Sequence, residues 1–211
     1  MSIPSGFELL DRELPGGGWP VGALTELLGD AEGVGELQLV LPALAALTAQ
    51  GKRVAWLAPP HLPYAPALAA AGIDLTRLVV VRAPGRRDAL WAAEQVLRAG
   101  SCHALLAWLR NARYPELRRL AVAAGSSRAC ALLFRPSAAA AESSPAALRL
   151  LLEPAAGGLA VSLLKRRGRA PGATLLVPVS RAFDALGRTS FPLPAARIAG
   201  IDRRLGLPVH A

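Results

Sequence analysis

Cysteine, tyrosine and methionine are scarce in this chain: two, two and one among 211 residues. Cys102 and Cys130 make no C-x-x-C pair and are too few for a disulfide framework. That excludes a stapled secreted scaffold and predicts two free, buried thiols. The opening "MSIPSGFELLDREL" lacks the cationic start and apolar stretch of a signal peptide; it carries Glu8, Asp11 and Glu13 instead, so a cytoplasmic location is expected. Long hydrophobic runs are missing too. The longest, Leu39 to Ala49, contains Pro42 and Thr48 and stops at Gly51-Lys52-Arg53. A bilayer span takes about 20 residues, so no membrane partner is expected. His61, His103 and His210 show no metal-ligand spacing with one another or with the cysteines. There is no G-x-S-x-G elbow, and Cys102 and His103, as strand neighbours, point to opposite faces. No metal and no cofactor are expected.

What is present is apolar and basic. Hydrophobic residues make up 53% of the chain, enough for a substantial core in one α/β domain. The formal net charge is +9, and it is concentrated: from Lys165 onward there are nine basic and two acidic residues. Such a quarter suits an acidic protein face or nucleic acid, or simply a solvated arginine-rich surface.

Continuous apolar runs of strand length recur at Ala23–Leu28, Arg53–Ala58, Arg77–Arg82, His103–Leu109, Ala129–Arg135, Leu159–Lys165 and Thr174–Val179. Continuity rather than alternation predicts strands buried on both faces of a mostly parallel sheet. Helices are predicted over Glu36–Gln50, Tyr64–Ala71, Arg86–Ala99 and Pro115–Ala124, each closed by a glycine. The order β-α-β-α reads as a doubly wound sheet. "LAVSLLKRRGRAPGATLLVPV" has no room for a crossover helix and reads as an antiparallel hairpin. "PSAAAAESSP" reads as a flexible surface loop. Residues 1–179 form the core; 180–211 form a basic tail, extended or ordered on a partner.

"LLGDAEGVGELQLVLPAL" has the shape of a phosphate loop: apolar strand, glycine-rich turn, helix. Such a loop uses a lysine at the β/γ-phosphates and a hydroxyl on magnesium. Gly29, Gly33 and Gly35 can form the backbone cradle, but Glu36 stands where the lysine belongs and Leu37 where the hydroxyl belongs. A carboxylate facing phosphate is mismatched by on the order of several kcal/mol in a partly dry site. The loop is degenerate, and the bland reading is a glycine-rich strand–turn–helix junction.

The segment "IPSGFELLDRELPGGGWPVGALTELLG" resembles the entry into the core of RecA-type recombinases. The resemblance continues through "GKRVAWLAPPHL", "AAAGIDLTRLVVV", "HALLAWL", "ACALLFRP" and the basic hairpin, about residues 3–179. Within that superfamily "GVGELQLVLPALAAL" and "ALLAWLRNARYPELRRLAVAA" are similar to the ImuA family and to its relative, the division inhibitor SulA. The resemblance implies a RecA-like fold and a role in SOS-induced mutagenic translesion synthesis. It implies as partners RecA, an ImuB-type Y-family-like protein and, indirectly, an error-prone replicative-type polymerase. Against the recombinase pattern three ATPase parts are replaced: the loop lysine by Glu36 (Gly35 without an insertion), the catalytic glutamate at about Pro60, and the magnesium-linked aspartate by Trp108. A pseudo-ATPase is expected.

"WLRNARY" places Trp108, Arg110, Arg113 and Tyr114 at the carboxyl end of a strand, where open α/β sheets bind ligands. The residue types suit a partner face; aromatic rim packing is the plainer reading of Trp108. The resemblance implies that the hairpin, with Lys165, Arg166, Arg167 and Arg169, docks on the nucleotide edge of a RecA protomer. The stretches matching the recombinase's DNA loops are "RNARY" and "PSAAAAESSP", the latter without a basic residue. Strong single-strand binding is therefore not expected, which leaves weak, salt-sensitive DNA binding through the basic C-terminal quarter. The alternatives are a SulA-like inhibitor of FtsZ and a divergent RecA-like ATPase.

Overall fold

The computed structural model describes residues 1–30, 33, 35–168, 170, 172 and 174–179, with the backbone of a short strand at 196–197. The tail expected over 180–211 otherwise lies outside the described residues, as does Arg169.

A small antiparallel pair, β1 (Ser2–Ile3) and β2 (Trp19–Pro20), brackets helix α1 (Glu8–Glu13). Then come β3 (Ala23–Leu28), α2 (Leu41–Ala49), β4 (Val54–Leu57), α3 (Ala65–Ala70), β5 (Leu78–Val81) and α4 (Arg86–Ala99). They are followed by β6 (Ala104–Trp108), α5 (Tyr114–Ser126) and β7 (Cys130–Arg135). The chain then runs through β8 (Leu148–Ala155), β9 (Gly158–Arg166), β10 (Thr174–Val177) and β11 (Ala196–Arg197). The main sheet orders as β11-β10-β9-β8-β3-β7-β6-β4-β5. From β8 to β5 every pairing is parallel; β8, β9, β10 and β11 pair antiparallel.

Alternation within each parallel strand explains the continuous apolar runs. In β4, Val54 and Trp56 join the core layer with α1, α2 and α3, while Ala55 and Leu57 join the layer under α4 and α5. In β6, Leu106 faces the first layer, and Leu105 and Ala107 face the second. A strand covered on both faces has no position that favours a polar residue.

Two expectations need correction, and one strand, β8, was not expected. The predicted helix over Glu36–Gln50 begins at Leu41, with turns before it. Pro42 has no N–H to give and fits only the first turn, so the regular helix starts beside it. The sequence reading passed over β8, because Arg149, Glu153 and Pro154 interrupt its apolar run. The segment read as a flexible loop, "PSAAAAESSP", contains a 3₁₀ turn over Ser137–Ala141 with Ala139 buried. Arg149 pins it, donating to the carbonyls of Ala139 (2.5 Å), Ala140 (3.3 Å) and Glu142 (3.1 Å).

Both cysteines are free and buried, and burial pushes the Cys130 thiol up to about 12, since the thiolate has no solvation there. Among the described residues no helix is long and apolar enough to cross a membrane.

Candidate functional site: a self-occupied loop and a basic rim

The glycine-rich turn leaves β3 with Gly29, whose N–H donates to the Arg135 carbonyl (3.0 Å) and extends the β3–β7 ladder by one bond. Gly33 (φ +76°) and Gly35 (φ +110°) then adopt backbone conformations that disfavour any side chain. Their N–H groups point at one acceptor, the Glu36 carboxylate. Gly33 N donates to Oε1 at 2.9 Å and Gly35 N to Oε2 at 3.1 Å. Successive backbone donors converging on an anion are how a phosphate loop holds its ligand; here the anion belongs to the loop itself. Leu37 packs against the core rather than the mouth. The strand exit closes the other side: a Cβ on Gly35 would meet Val179 at 2.4 Å. The residues present do not fit a triphosphate: the lysine and hydroxyl are replaced and the amide donors of Gly33 and Gly35 are engaged.

The β6 end gathers the second group. Trp108 stacks on Phe134 (ring centroids 4.7 Å apart, planes 10° from parallel) and tilts against Trp56 at 5.8 Å. It caps the core beneath the loop, while Arg110, Arg113 and Tyr114 stand exposed above it. Glu116 organises that loop, accepting from the Arg113 N–H (2.7 Å) and pairing with Arg86 of α4. The Arg86 hydrogen bond holds the Glu116 carboxyl below the usual carboxylate range. Asp30 is likewise lowered, by the Ser137 hydroxyl, the Ser137 N–H and the nearby Arg110 charge. Pro60 is exposed one residue past Pro59 and two past Ala58, whose φ of +48° is the one positive value on a non-glycine among the described residues.

The hairpin divides its cations. Arg166 turns inward: its Nη1 donates to the Glu13 carboxylate (2.6 Å) and carbonyl (3.0 Å), and its Nε to the Ala170 carbonyl. The pair is nearly buried, the two side chains 11% and 13% exposed, and it latches β9 onto α1. Lys165 donates to the Ser144 carbonyl (2.9 Å) yet stays exposed, as does Arg167. Arg166 is thus an anchor for the hairpin, with Lys165 and Arg167 its outward charges.

Sequence reasoning missed a buried ionic cluster. Glu26, fully buried in β3, accepts from Arg135 Nη1 (2.9 Å) and Arg149 Nε (2.5 Å). Arg135 also reaches Glu142 Oε2 and the Ala112 carbonyl, both at 2.8 Å. One carboxylate therefore ties the loop after β6 and the 3₁₀ turn after β7 to the strand that feeds the glycine turn. The available signal was three charges inside apolar strand runs, which must be paired to be buried.

Comparison with known proteins adds lineage to this geometry. Within a SulA from Edwardsiella piscicida, 98 residues are 32% identical, covering 46% of this chain and 58% of that protein. A RecA from Acholeplasma laidlawii is 38% identical over 103 residues, 47% of this chain and 30% of that protein. The matched stretch thus spans little more than half of the SulA relative and under a third of the RecA. Among solved structures, SulA from Pseudomonas aeruginosa aligns with a TM-score of 0.48 at 25% identity, over 56% of this chain and 99% of that one. A family model described as cell division inhibitor SulA matches residues 22–131, from the start of β3 into β7 and just over half of the chain. The chain belongs to the SulA family, with part of its sequence similar to RecA as well.

Proposed function

We propose that this chain is a catalytically silent, RecA-like accessory protein of the SOS response. It is an ImuA-type protein that acts in error-prone translesion synthesis by binding RecA and an ImuB-type partner, with the replicative-type polymerase reached through that partner. The observation that carries the silent reading is the Glu36 carboxylate in the grip of the Gly33 and Gly35 amides. An anion held covalently beside its own binding loop excludes a phosphate by charge and by occupancy. The exposed Lys165 and Arg167 on a hairpin latched to α1 support a rigid basic docking edge. Their partner is an acidic protein face, the nucleotide edge of a RecA protomer.

The family match favours a second reading, a SulA-like inhibitor that binds FtsZ. The meander β8–β9–β10, which carries the basic hairpin, lies outside the matched residues 22–131 and supports the first reading. One set of pulldowns separates them: purified chain against RecA, an ImuB-type protein and FtsZ, beside an FtsZ GTPase assay. The translesion reading expects retention of RecA and the ImuB-type protein with FtsZ turnover unchanged. Inhibition of FtsZ without RecA retention would transfer the conclusion to the second.

A further inference from the structure

We infer that the cleft at the carboxyl ends of β4, β5 and β6 receives one large apolar side chain from an acidic segment of a partner protein. The inference rests on the reading of this chain as a non-catalytic binding module. The cleft holds about 200 Å³. Small-molecule and cofactor pockets run roughly 300–1,000 Å³, so this one suits a single leucine or phenylalanine side chain better than a nucleotide. Its lining is more apolar than polar, with Ala83, Ala89, Leu90 and Leu109 beside Arg86, Arg110 and Asn111. Ala58 lines it with a left-handed backbone that costs a non-glycine residue energy; such strain gathers at clamps and binding sites. The wall belongs to the core layer under α4 and α5, whereas Leu37 beside the glycine turn packs into the opposite layer. The two sites are distinct.

Charge selects the occupant. Arg82, Arg87 and Arg113 adjoin lining residues in the chain and are exposed, adding to Arg86 and Arg110. The carboxylates nearby are Asp88, Glu116 and Asp30; Glu116 cancels Arg86, with which it pairs, and Asp30 keeps its charge beside Ser137, so Arg82, Arg87, Arg110 and Arg113 stand against Asp30 and Asp88. The rim is net basic. It attracts an acidic segment and disfavours a second copy of the same face. Trp108 lines the cleft but already stacks on Phe134, so stacking gives a nucleobase little here.

The test uses the full chain and two fluorescein-labelled peptides, EEDEFDEE and EEDEADEE, read by anisotropy at low salt. Burying the phenylalanine ring predicts binding of the first roughly tenfold or more tightly than the second. Ala83→Trp fills the cleft without changing charge and brings that ratio to about one; Pro84→Trp, at an exposed lining position, does the same should the first variant fold poorly. Arg110→Glu weakens both peptides and preserves the ratio. Equal affinities in the unaltered chain, or a ratio that survives both fillings, overturn the inference. An oligo(dT) probe bound more tightly than either peptide and lost on filling the cleft would reassign the site to nucleic acid. Magnesium-ATP binding would undo the silent reading and leave the peptide ratio intact, so the two failures are distinguishable.

Discussion

Glu26 and Glu36 sit ten residues apart on either side of the glycine turn, and the chain uses them in opposite ways. Glu26 is fully buried, and its partners come from more than a hundred residues away. Glu36 is half-buried, and its carboxylate accepts from amides one and three residues before it. The first holds the fold together across β3, β7 and β8; the second closes a local site. A carboxylate inside a protein is thus read by who answers it: distant guanidinium groups make a structural tie, and adjacent amides make a plug.

Substitutions break the comparison in order of size. Glu26→Ala strands Arg135 and Arg149 in the core and is expected to cost about 3–5 kcal/mol, measured by urea unfolding. Replacing Glu26, Arg135 and Arg149 together with leucine and methionine should recover only part of that, because it removes the unpaired charge but leaves the carbonyls of Ala112, Ala139, Ala140 and Glu142 without their donors. Arg166→Ala releases the hairpin from Glu13 and should cost about 1–3 kcal/mol in the same assay. Glu36→Ala should change stability by less than about 1 kcal/mol, as expected where only local, partly solvated bonds are lost. A drop like that of Glu26→Ala would erase the distinction between the two carboxylates. The smallest effect is in pH. Glu116 and Asp30 have lowered folded values, so their contribution is present above the ordinary carboxylate range. It is lost as pH falls through the lowered values. Glu116→Gln should flatten that acid-side decline in the urea midpoint and leave the midpoint's pH dependence near neutrality unaltered.

Local signals were legible in the sequence. The residues of α4 were read to the same bounds because Gly100 closes the helix with a left-handed φ, and the antiparallel β9–β10 pair followed from the short connection between them. Spacing singles out Glu36 and Leu37 in the glycine turn. It does not reveal that the Glu36 carboxylate turns back onto Gly33 and Gly35, since spacing says nothing of rotamers. Partners remote in sequence were hidden for a related reason. Arg149 pairs with Glu26 across the sheet, and that pairing, absent from any local pattern, is what lets β8 be buried beside β3. Arg166, expected among the hairpin's docking cations, instead turns inward to Glu13, a partner that local sequence does not reveal.

Titration calorimetry of the purified chain with magnesium-ATP addresses the plug most directly, with Glu36→Ala measured alongside. A plugged loop gives no binding heat from the unaltered chain, and weak phosphate or pyrophosphate affinity appears only once the carboxylate is removed. Stoichiometric, magnesium-dependent ATP binding by the unaltered chain would contradict the plug.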